Sequence, residues 1–358
     1  MTTEELLKEI EEKHNNSLFE ETFKRRDKEL YRTALLYKGT KINYLTLKYN
    51  VIKYAKALKA YGIKKGDEIP ICMANTPEFI YLLGGISLIG AKANIFGEGF
   101  DKEYITEIIN GCNSDILFAT DDKYSVIDDS VKKSKNKRVV LISLTESLLN
   151  GKNPYIKLEK KWYDFKDRRN EIKDNSSRFM FSSEFLNLGK EYKGNYIEKV
   201  NLDDEFTITY SSGSTNSSRP KAIVHDVKSY IVMGIYHDPK ISKVPSMKNL
   251  RMLAHIPTHS NTNIMSCITD PLMQGSEIAV EPIYTPDHFV YSLLINKPSF
   301  VTATRSFFVR CANDILNNKK FKNVKMPFLL VPMIVGEPNS IGEEKFCNKF
   351  LRKVNAGS

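Results

Sequence analysis

The chain has 358 residues, 41% of them hydrophobic and 27% charged, with 18 Tyr, 19 Phe and only 14 Pro; this exceeds the roughly 100–200 residues of one domain and excludes a disordered composition. Its formal net charge of +10 fits an acidic partner, but the lysines are spread along the chain and no recognition motif accompanies them, which argues against nucleic acid. Five cysteines, Cys72, Cys112, Cys267, Cys311 and Cys347, are odd in number and lack a C-x-x-C pair, so they predict neither a disulfide framework nor a zinc site and fit reduced, buried thiols in a cytoplasm.

Met1 to Ile10 reads as the start of an acidic amphipathic helix, without the cationic and apolar regions of a signal peptide. Leu47, Val51, Ala55 and Leu58 recur at helical spacing, and Gly62 supplies the left-handed residue that stops the helix. Glu68 to Met73 is short and apolar like a strand, and Asn75-Thr76-Pro77-Glu78 opens a helix with a cap candidate and a proline in its first turn. The longest apolar stretch, Phe79 to Ala91, is interrupted by glycines and falls short of the roughly 18 residues that span a bilayer, so no membrane span is predicted. Asp101 to Asn110 reads as a helix, Asp115 to Ala119 as a strand, Tyr124 to Lys133 as a helix and Arg138 to Ile142 as a strand. The basic run from Lys132 to Arg138 fits an exposed helix end. This alternation predicts an α/β fold, with a parallel or mixed sheet covered by helices. Residues 150–200 are polar with weak periodicity and read as a long connection, dividing the chain into a first lobe, 1–200, and a second, 201–358.

From Phe206 to His225 a strand enters a hydroxyl-rich loop and another strand leaves it. Small residues let backbone N–H groups converge on phosphate oxygens, Ser211, Ser212, Ser214 and Thr215 add hydroxyl donors, and Lys221 adds a positive charge, which together suit a polyphosphate. A Ser-rich surface loop without a ligand has the same composition. The G-x-x-x-x-G-K-[ST] pattern, whose lysine and hydroxyl open a helix, is not present. His255 and His259 stand four apart, a spacing that on a helix would turn both to a metal, but Pro257 between them argues against that helix.

Tyr210-Ser211-Ser212-Gly213-Ser214-Thr215, followed by Pro220-Lys221, resembles the signature loop of the AMP-binding, adenylate-forming superfamily: acyl-CoA synthetases, luciferases and peptide-synthetase adenylation domains. Two residues more than the usual pattern precede Pro220, and Ala222 replaces a common glycine. Other segments resemble the family in the same order: Ile42 to Leu47, Tyr61 to Asp67, Asn75 to Glu78, Leu88 to Ala91 and Val335-Gly336-Glu337-Pro338. The resemblance implies two helix-covered mixed sheets packed together. It implies that Ser211, Ser212, Gly213, Ser214, Thr215 and Lys221 bind ATP phosphates and that Gly336, Glu337 and Pro338 lie against the adenine. It makes His259 a gate of the acyl pocket, with a satisfied structural histidine as the alternative, and places His225 beside the site or in ordinary packing. The spacing of His225 from Lys221 resembles the short-chain acyl-CoA synthetase branch.

By the same resemblance the complete enzyme activates a small-molecule carboxylic acid with ATP and Mg²⁺ and passes the acyl group to coenzyme A or to the phosphopantetheine of a carrier protein. The family's Tyr-Gly-x-Thr-Glu segment, its ribose-binding Asp and its C-terminal catalytic Lys have no match in these 358 residues. The expectation is therefore an inactive N-terminal fragment with no complete catalytic or metal-binding set. A non-catalytic nucleotide-binding or partner-binding module is the alternative.

Overall fold

The structure, a computed structural model, describes residues 16–134, 137–148, 178–211, 219–236, 248–321, 323–336 and 340–356, together with Lys8, Ile10, Glu12 and Lys13. The helix expected at residues 1–10 lies almost wholly outside the described residues. Among the described residues thirteen strands form two sheets. In one, the order is β13 (Val331–Ile334), β12 (Phe300–Ala303), β10 (Arg251–Ala254), β11 (Glu277–Val280), β1 (Thr33–Tyr37) and β2 (Thr40–Asn43). In the other it is β7 (Phe179–Phe181), β6 (Arg138–Ile142), β5 (Ile116–Thr120), β3 (Glu68–Cys72), β4 (Lys92–Ile95), β8 (Glu205–Tyr210) and β9 (Ala222–Asp226). Neighbouring strands are parallel except in the β1–β2 and β8–β9 hairpins.

One apolar core contains side chains of both sheets, such as Ile71 and Phe206 from the second and Leu35 and Ile278 from the first. Two helices, α2 (Tyr44–Tyr61) and α3 (Pro77–Ile89), run through that core, joined by α1 (Leu18–Arg25). The outer face of the second sheet is covered by α4 (Lys102–Gly111) and α5 (Tyr124–Lys133), through Ile105, Ile109 and Val131. That of the first is covered through Phe289, Phe308 and Phe350 by later helices. All five cysteines are buried free thiols. No helix of the described residues is long and apolar enough to cross a membrane.

The local causes are legible. Gly62 ends α2 with φ 108°, and Thr76 caps α3 by accepting from the Phe79 N–H, with Pro77 in its first turn. Every residue of α3 is buried, as a helix apolar on all sides requires. It reaches α2 closely because Gly84 and Gly85 lack side chains: a Cβ on Gly84 would stand 2.6 Å from Val51 Cγ2, and one on Gly85 2.9 Å from the Ala55 backbone nitrogen.

Three expectations change. Residues 179–188, read as part of a connection, form β7 and the short helix α6 (Ser182–Leu188), and β7 extends the second sheet by pairing with β6. The sheets also cross the division placed at residue 200: β8 and β9 belong with β3 to β7, while β1, with β2 on its outer side, pairs with β11 beyond residue 250. Within the basic run, Lys137 is buried and its ammonium donates to the Cys112 carbonyl at 2.7 Å and to that of Ser114. Burial lowers its pKa.

Lys38 and Gly39 turn the β1–β2 hairpin, both at positive φ, 48° and 83°. That is the geometry of a two-residue hairpin turn, in which a lysine is strained. Its ammonium reaches Glu281 just past β11, at 3.0 Å, with side-chain exposures of only 6% and 1%. Burial alone would raise the Glu281 carboxyl; His288, whose Nε2 stands 3.7 Å from Oε2, and the Lys38 ammonium outweigh it and hold the pKa down at about 2. The pair therefore contributes stability that is present above the ordinary carboxylate value of 4.5 and is lost as pH falls through about 2. We expect Lys38→Met to cost about 3–5 kcal/mol at pH 7 by stranding the carboxylate, and Lys38→Met/Glu281→Gln to cost less. Urea denaturation at pH 7 and pH 3 checks this, and a single mutant as stable as the parent would remove the pair from the hairpin's support.

Candidate functional site

Loops leaving the carboxyl ends of β3, β4, β5, β10 and β11 converge on a cavity of about 440 Å³ at the junction of the two sheets. Carboxyl ends of parallel strands are where open α/β sheets place their ligands. Three hydrogen bonds close the seam behind this cavity. Asn75 Nδ2 donates to the Ile256 carbonyl at 2.7 Å, Asn263 Nδ2 donates to Asn75 Oδ1 at 2.8 Å, and the Thr258 hydroxyl donates to the Met73 carbonyl at 2.6 Å.

His255 and His259 both line the cavity, and no helix carries them. His255 is buried; its Nε2 donates to the Thr302 carbonyl at 3.0 Å and its ring stacks on Phe289 at 5.2 Å. Burial pushes its pKa down to about 4, so it is neutral and structural. His259 sits over Gly97, where an added Cβ would come within 2.8 Å of its Cε1, and edge-on to Phe100 at 5.5 Å. Burial lowers its pKa too.

Close enough to act on the His259 ring, the Lys123 ammonium is paired with Glu98 and, at 3.2 Å, with Asp122. Burial would lower its pKa, but the two carboxylates raise it, so the cavity holds a fixed cation between two anions.

The hydroxyl-rich loop leaves β8 at the same end of its sheet. Its neck is closed by two bonds: the Ser211 N–H donates to the Lys221 carbonyl and the Lys221 N–H donates to Ser211 Oγ, both at 2.9 Å. The Tyr104 hydroxyl holds the Pro220 carbonyl at 2.7 Å, and Arg219 pairs with Glu107 at 2.7 Å while lying over the Tyr104 ring. Tyr210 is fixed by its hydroxyl on Asn94 Oδ1 at 2.8 Å and by Phe100 at 5.3 Å. Phe100 thus touches both Tyr210 and His259, and the neck and the cavity share that wall.

Of the expected phosphate-binding residues, Ser211 and Lys221 meet at the neck, while Ser212, Gly213, Ser214 and Thr215 lie outside the described residues. The Lys221 side chain is exposed and makes no ion pair among the described residues, a fit for an anion. Gly336, at φ 78°, follows β13 at the carboxyl edge of the other sheet, and among the described residues a Cβ there would meet nothing nearer than Thr304 Cγ2 at 3.9 Å. Glu337 and Pro338 lie outside the described residues. His225 is spent on packing: its Nε2 is 3.0 Å from Thr209 Oγ1, and it is not among the residues lining the cavity. Among the described residues no three His, Cys, Asp or Glu side chains are grouped to hold a metal. Sequence reasoning missed Gly97, Glu98, Asp122 and Lys123; Asp122 and Lys123 follow the predicted strand from Asp115 to Ala119, whereas β4, which precedes Gly97 and Glu98, was itself not predicted.

The profile of the AMP-binding enzyme family matches residues 22–356. The chain belongs to that family. Among curated relatives, the 3-hydroxypropionyl-coenzyme A synthetase of Sulfurisphaera tokodaii is 29% identical over 212 residues, covering 56% of this chain and 29% of that protein. The acetyl-coenzyme A synthetase of Methylocella silvestris is 26% identical over 216 residues, covering 56% and 30%. The chain thus matches under a third of these relatives' length. Among solved structures, an anthranilate CoA ligase in complex with anthranoyl-AMP superposes with TM-score 0.74 at 13% identity, covering 95% of this chain and 58% of that one. A long-chain-fatty-acid-CoA ligase from Archaeoglobus fulgidus gives 0.73 at 14%, covering 96% and 62%. These likenesses are of fold.

We expect Gly97→Ala to displace the His259 ring toward solvent and so raise its depressed pKa toward the ordinary 6.5. Histidine-ring NMR titration measures it; an unmoved pKa would mean that the ring does not depend on its glycine seat.

Proposed function

We propose that this chain carries the phosphate-loop and acid-pocket side of a site that joins a short carboxylic acid to AMP and then to coenzyme A. The observation that carries this reading is the shared wall: the Ser211–Lys221 neck and the His259 cavity meet across Phe100 and Tyr210. A carboxylate oxygen of the acid attacks the α-phosphorus of ATP and pyrophosphate leaves; the thiol sulfur then attacks the acyl carbon and AMP leaves. Lys221, exposed and without an ion pair among the described residues, offers its charge to the phosphates. His259, kept neutral by burial, walls the acid's carbon chain rather than its charge. Glu98, Asp122 and Lys123 give the cavity a polar lining near His259. The two curated relatives named above are, by name, an acetyl- and a 3-hydroxypropionyl-coenzyme A synthetase; this favours coenzyme A over a carrier protein and a short acid over a long one. Among the described residues no three His, Cys, Asp or Glu side chains are grouped to hold a magnesium ion.

Calorimetric titration of the 358-residue chain with ATP tests the phosphate role. We expect weak binding that Lys221→Ala weakens about tenfold, the worth of one charge-assisted contact. Equal affinity in the variant would take Lys221 out of the site. Turnover needs more charge stabilisation than these residues hold. Losing one donor to a developing anion costs about a hundredfold to a thousandfold, and both the family's metal-binding Glu and its C-terminal Lys lack a match here. The 358 residues alone are therefore expected to show no acid-dependent exchange of labelled pyrophosphate into ATP, and exchange at an enzyme's ordinary rate would show that other residues complete the site.

A further inference from the structure

The strand that leaves the hydroxyl-rich loop is packed less well than the strand that leads in. β8 is buried through Phe206, Ile208 and Tyr210, and the Tyr210 hydroxyl is tied to Asn94. β9 is the last strand of its sheet, and at its start Ala222, Ile223 and Val224 are all exposed, the last two at 44% and 49%. Adjacent strand residues point to opposite faces, so both faces of β9 are open at this end. The ladder to β8, which begins at Tyr210 and Ala222, fixes the spacing of the two strands. Little packing among the described residues fixes the angle between them.

What does reach the exit is one face of α4. Asp101 caps that helix, accepting from the Glu103 N–H at 2.8 Å and the Tyr104 N–H at 3.3 Å, and Ile105 and Ile109 bury it against the sheet. Tyr104 and Glu107, one turn apart, share a face. From that face the Tyr104 hydroxyl donates to the Pro220 carbonyl at 2.7 Å, while the Arg219 guanidinium lies 5.5 Å from the centre of the Tyr104 ring and pairs with Glu107. The Arg219–Glu107 pair is 52% and 54% exposed, and pairs so exposed are worth little. The Tyr104 hydroxyl is the firmer hold, because its ring is half-buried against Phe100 and Tyr210, at 6.0 and 6.1 Å. Burial raises the hydroxyl's pKa above its ordinary value of 10, by more than Arg219 lowers it, so the group stays protonated and able to donate.

We propose that Tyr104 is a positioning residue for the phosphate loop: through the Pro220 carbonyl it sets the direction in which Lys221 presents its ammonium. The Pro220 carbonyl and the Lys221 N–H belong to one planar peptide unit. That unit is gripped at both ends, its oxygen by the Tyr104 hydroxyl and its N–H by Ser211 Oγ at 2.9 Å. With both ends held, the plane does not turn about the line joining its two Cα atoms, and the Lys221 Cα–Cβ bond keeps one direction. With the oxygen released, only the Ser211 end is held, and the exposed strand beyond offers little to replace the lost grip. This role rests on the reading that Lys221 meets a phosphate, and adds the residue that aims it.

Amide NMR on the deuterated 358-residue chain, with ATP as the probe, tests the role. Tyr104→Phe keeps the ring beside Arg219 and removes only the hydroxyl. It should lower ATP affinity about threefold to tenfold, the loss of one hydrogen bond, and speed hydrogen exchange at the Lys221 amide by a similar factor, leaving that of buried Ile208 in β8 unmoved. In a Lys221→Ala background the same substitution should weaken ATP by less than about twofold, because the group it aims is gone. A tyrosine that only stabilised the fold would weaken ATP equally in both backgrounds. Such an equal loss overturns the proposal, as does a Tyr104→Phe chain whose ATP affinity and Lys221 exchange match the parent's. If Lys221→Ala weakens ATP and Tyr104→Phe does not, the aiming role alone falls. A parent chain that binds no ATP, or binds it as well with Lys221→Ala, removes the phosphate reading and this role together.

Discussion

The site depends on the seam that Asn75 holds between the two sheets. Asn75 stands where β3 gives way to α3, and its amide spans to the Ile256 carbonyl in the loop after β10, while its own oxygen accepts from Asn263. Buried amides are tolerated only with such partners, so the two loops are fixed in one register. Thr258 adds a second bond between the same two strand ends, donating to the Met73 carbonyl. A cavity between two sheets would otherwise be only as well defined as their sliding contact; the polar stitches make it a fixed shape. The glycine contact of α3 with α2 sets the same helix from its other side.

Burial decides the charge state of nearly every ionisable group that matters here. His255 and His259 are lowered because burial outweighs what the Thr302 carbonyl and Glu281 return to the first and Glu98 to the second, whereas Glu281 stays ionised because His288 and Lys38 outweigh its burial. Glu78 is buried with the Glu146 carboxylate nearby and, among the described residues, no cation acts to lower it, so it keeps its proton to about 8. The same low-dielectric interior thus produces a neutral wall at the cavity and a proton-loaded acid at the start of α3. The Lys221 side chain is exposed, and its ammonium is strongly hydrated until an anion displaces the water.

Local elements were legible in the sequence and long-range ones were not. The helix through Leu47 and Leu58, its Gly62 stop and the Thr76-Pro77 start all appear because each is set by neighbours within a turn or two. The pairing of β1 with β11, across more than 240 residues, has no local signature, and so the sheets crossed the boundary drawn at residue 200. β7 and α6 were hidden because three strand residues and seven helical ones carry too short a period to stand out from polar surroundings. At the candidate site, the order of family motifs pointed to Ser211, Lys221, His259 and Gly336. It could not point to Gly97, whose importance is the absence of a side chain beneath a ring brought from 162 residues away.

The extra length of the hydroxyl-rich loop is of little consequence for the fold once its neck is considered. Ser211 and Lys221 are joined by two hydrogen bonds, and each flank is tied to the body of the sheet: Pro220 through the Tyr104 hydroxyl, Tyr210 through Asn94, which in turn donates to Glu68. The cost of closing a flexible loop grows only with the logarithm of its length, so two more residues between fixed ends cost about 0.2 kcal/mol. That is far below the worth of even one neck hydrogen bond, about 1 kcal/mol. The neck therefore keeps its geometry whatever the loop's length. Any effect of the insertion falls on where the loop's own N–H and hydroxyl donors stand relative to a phosphate, and so on affinity rather than stability.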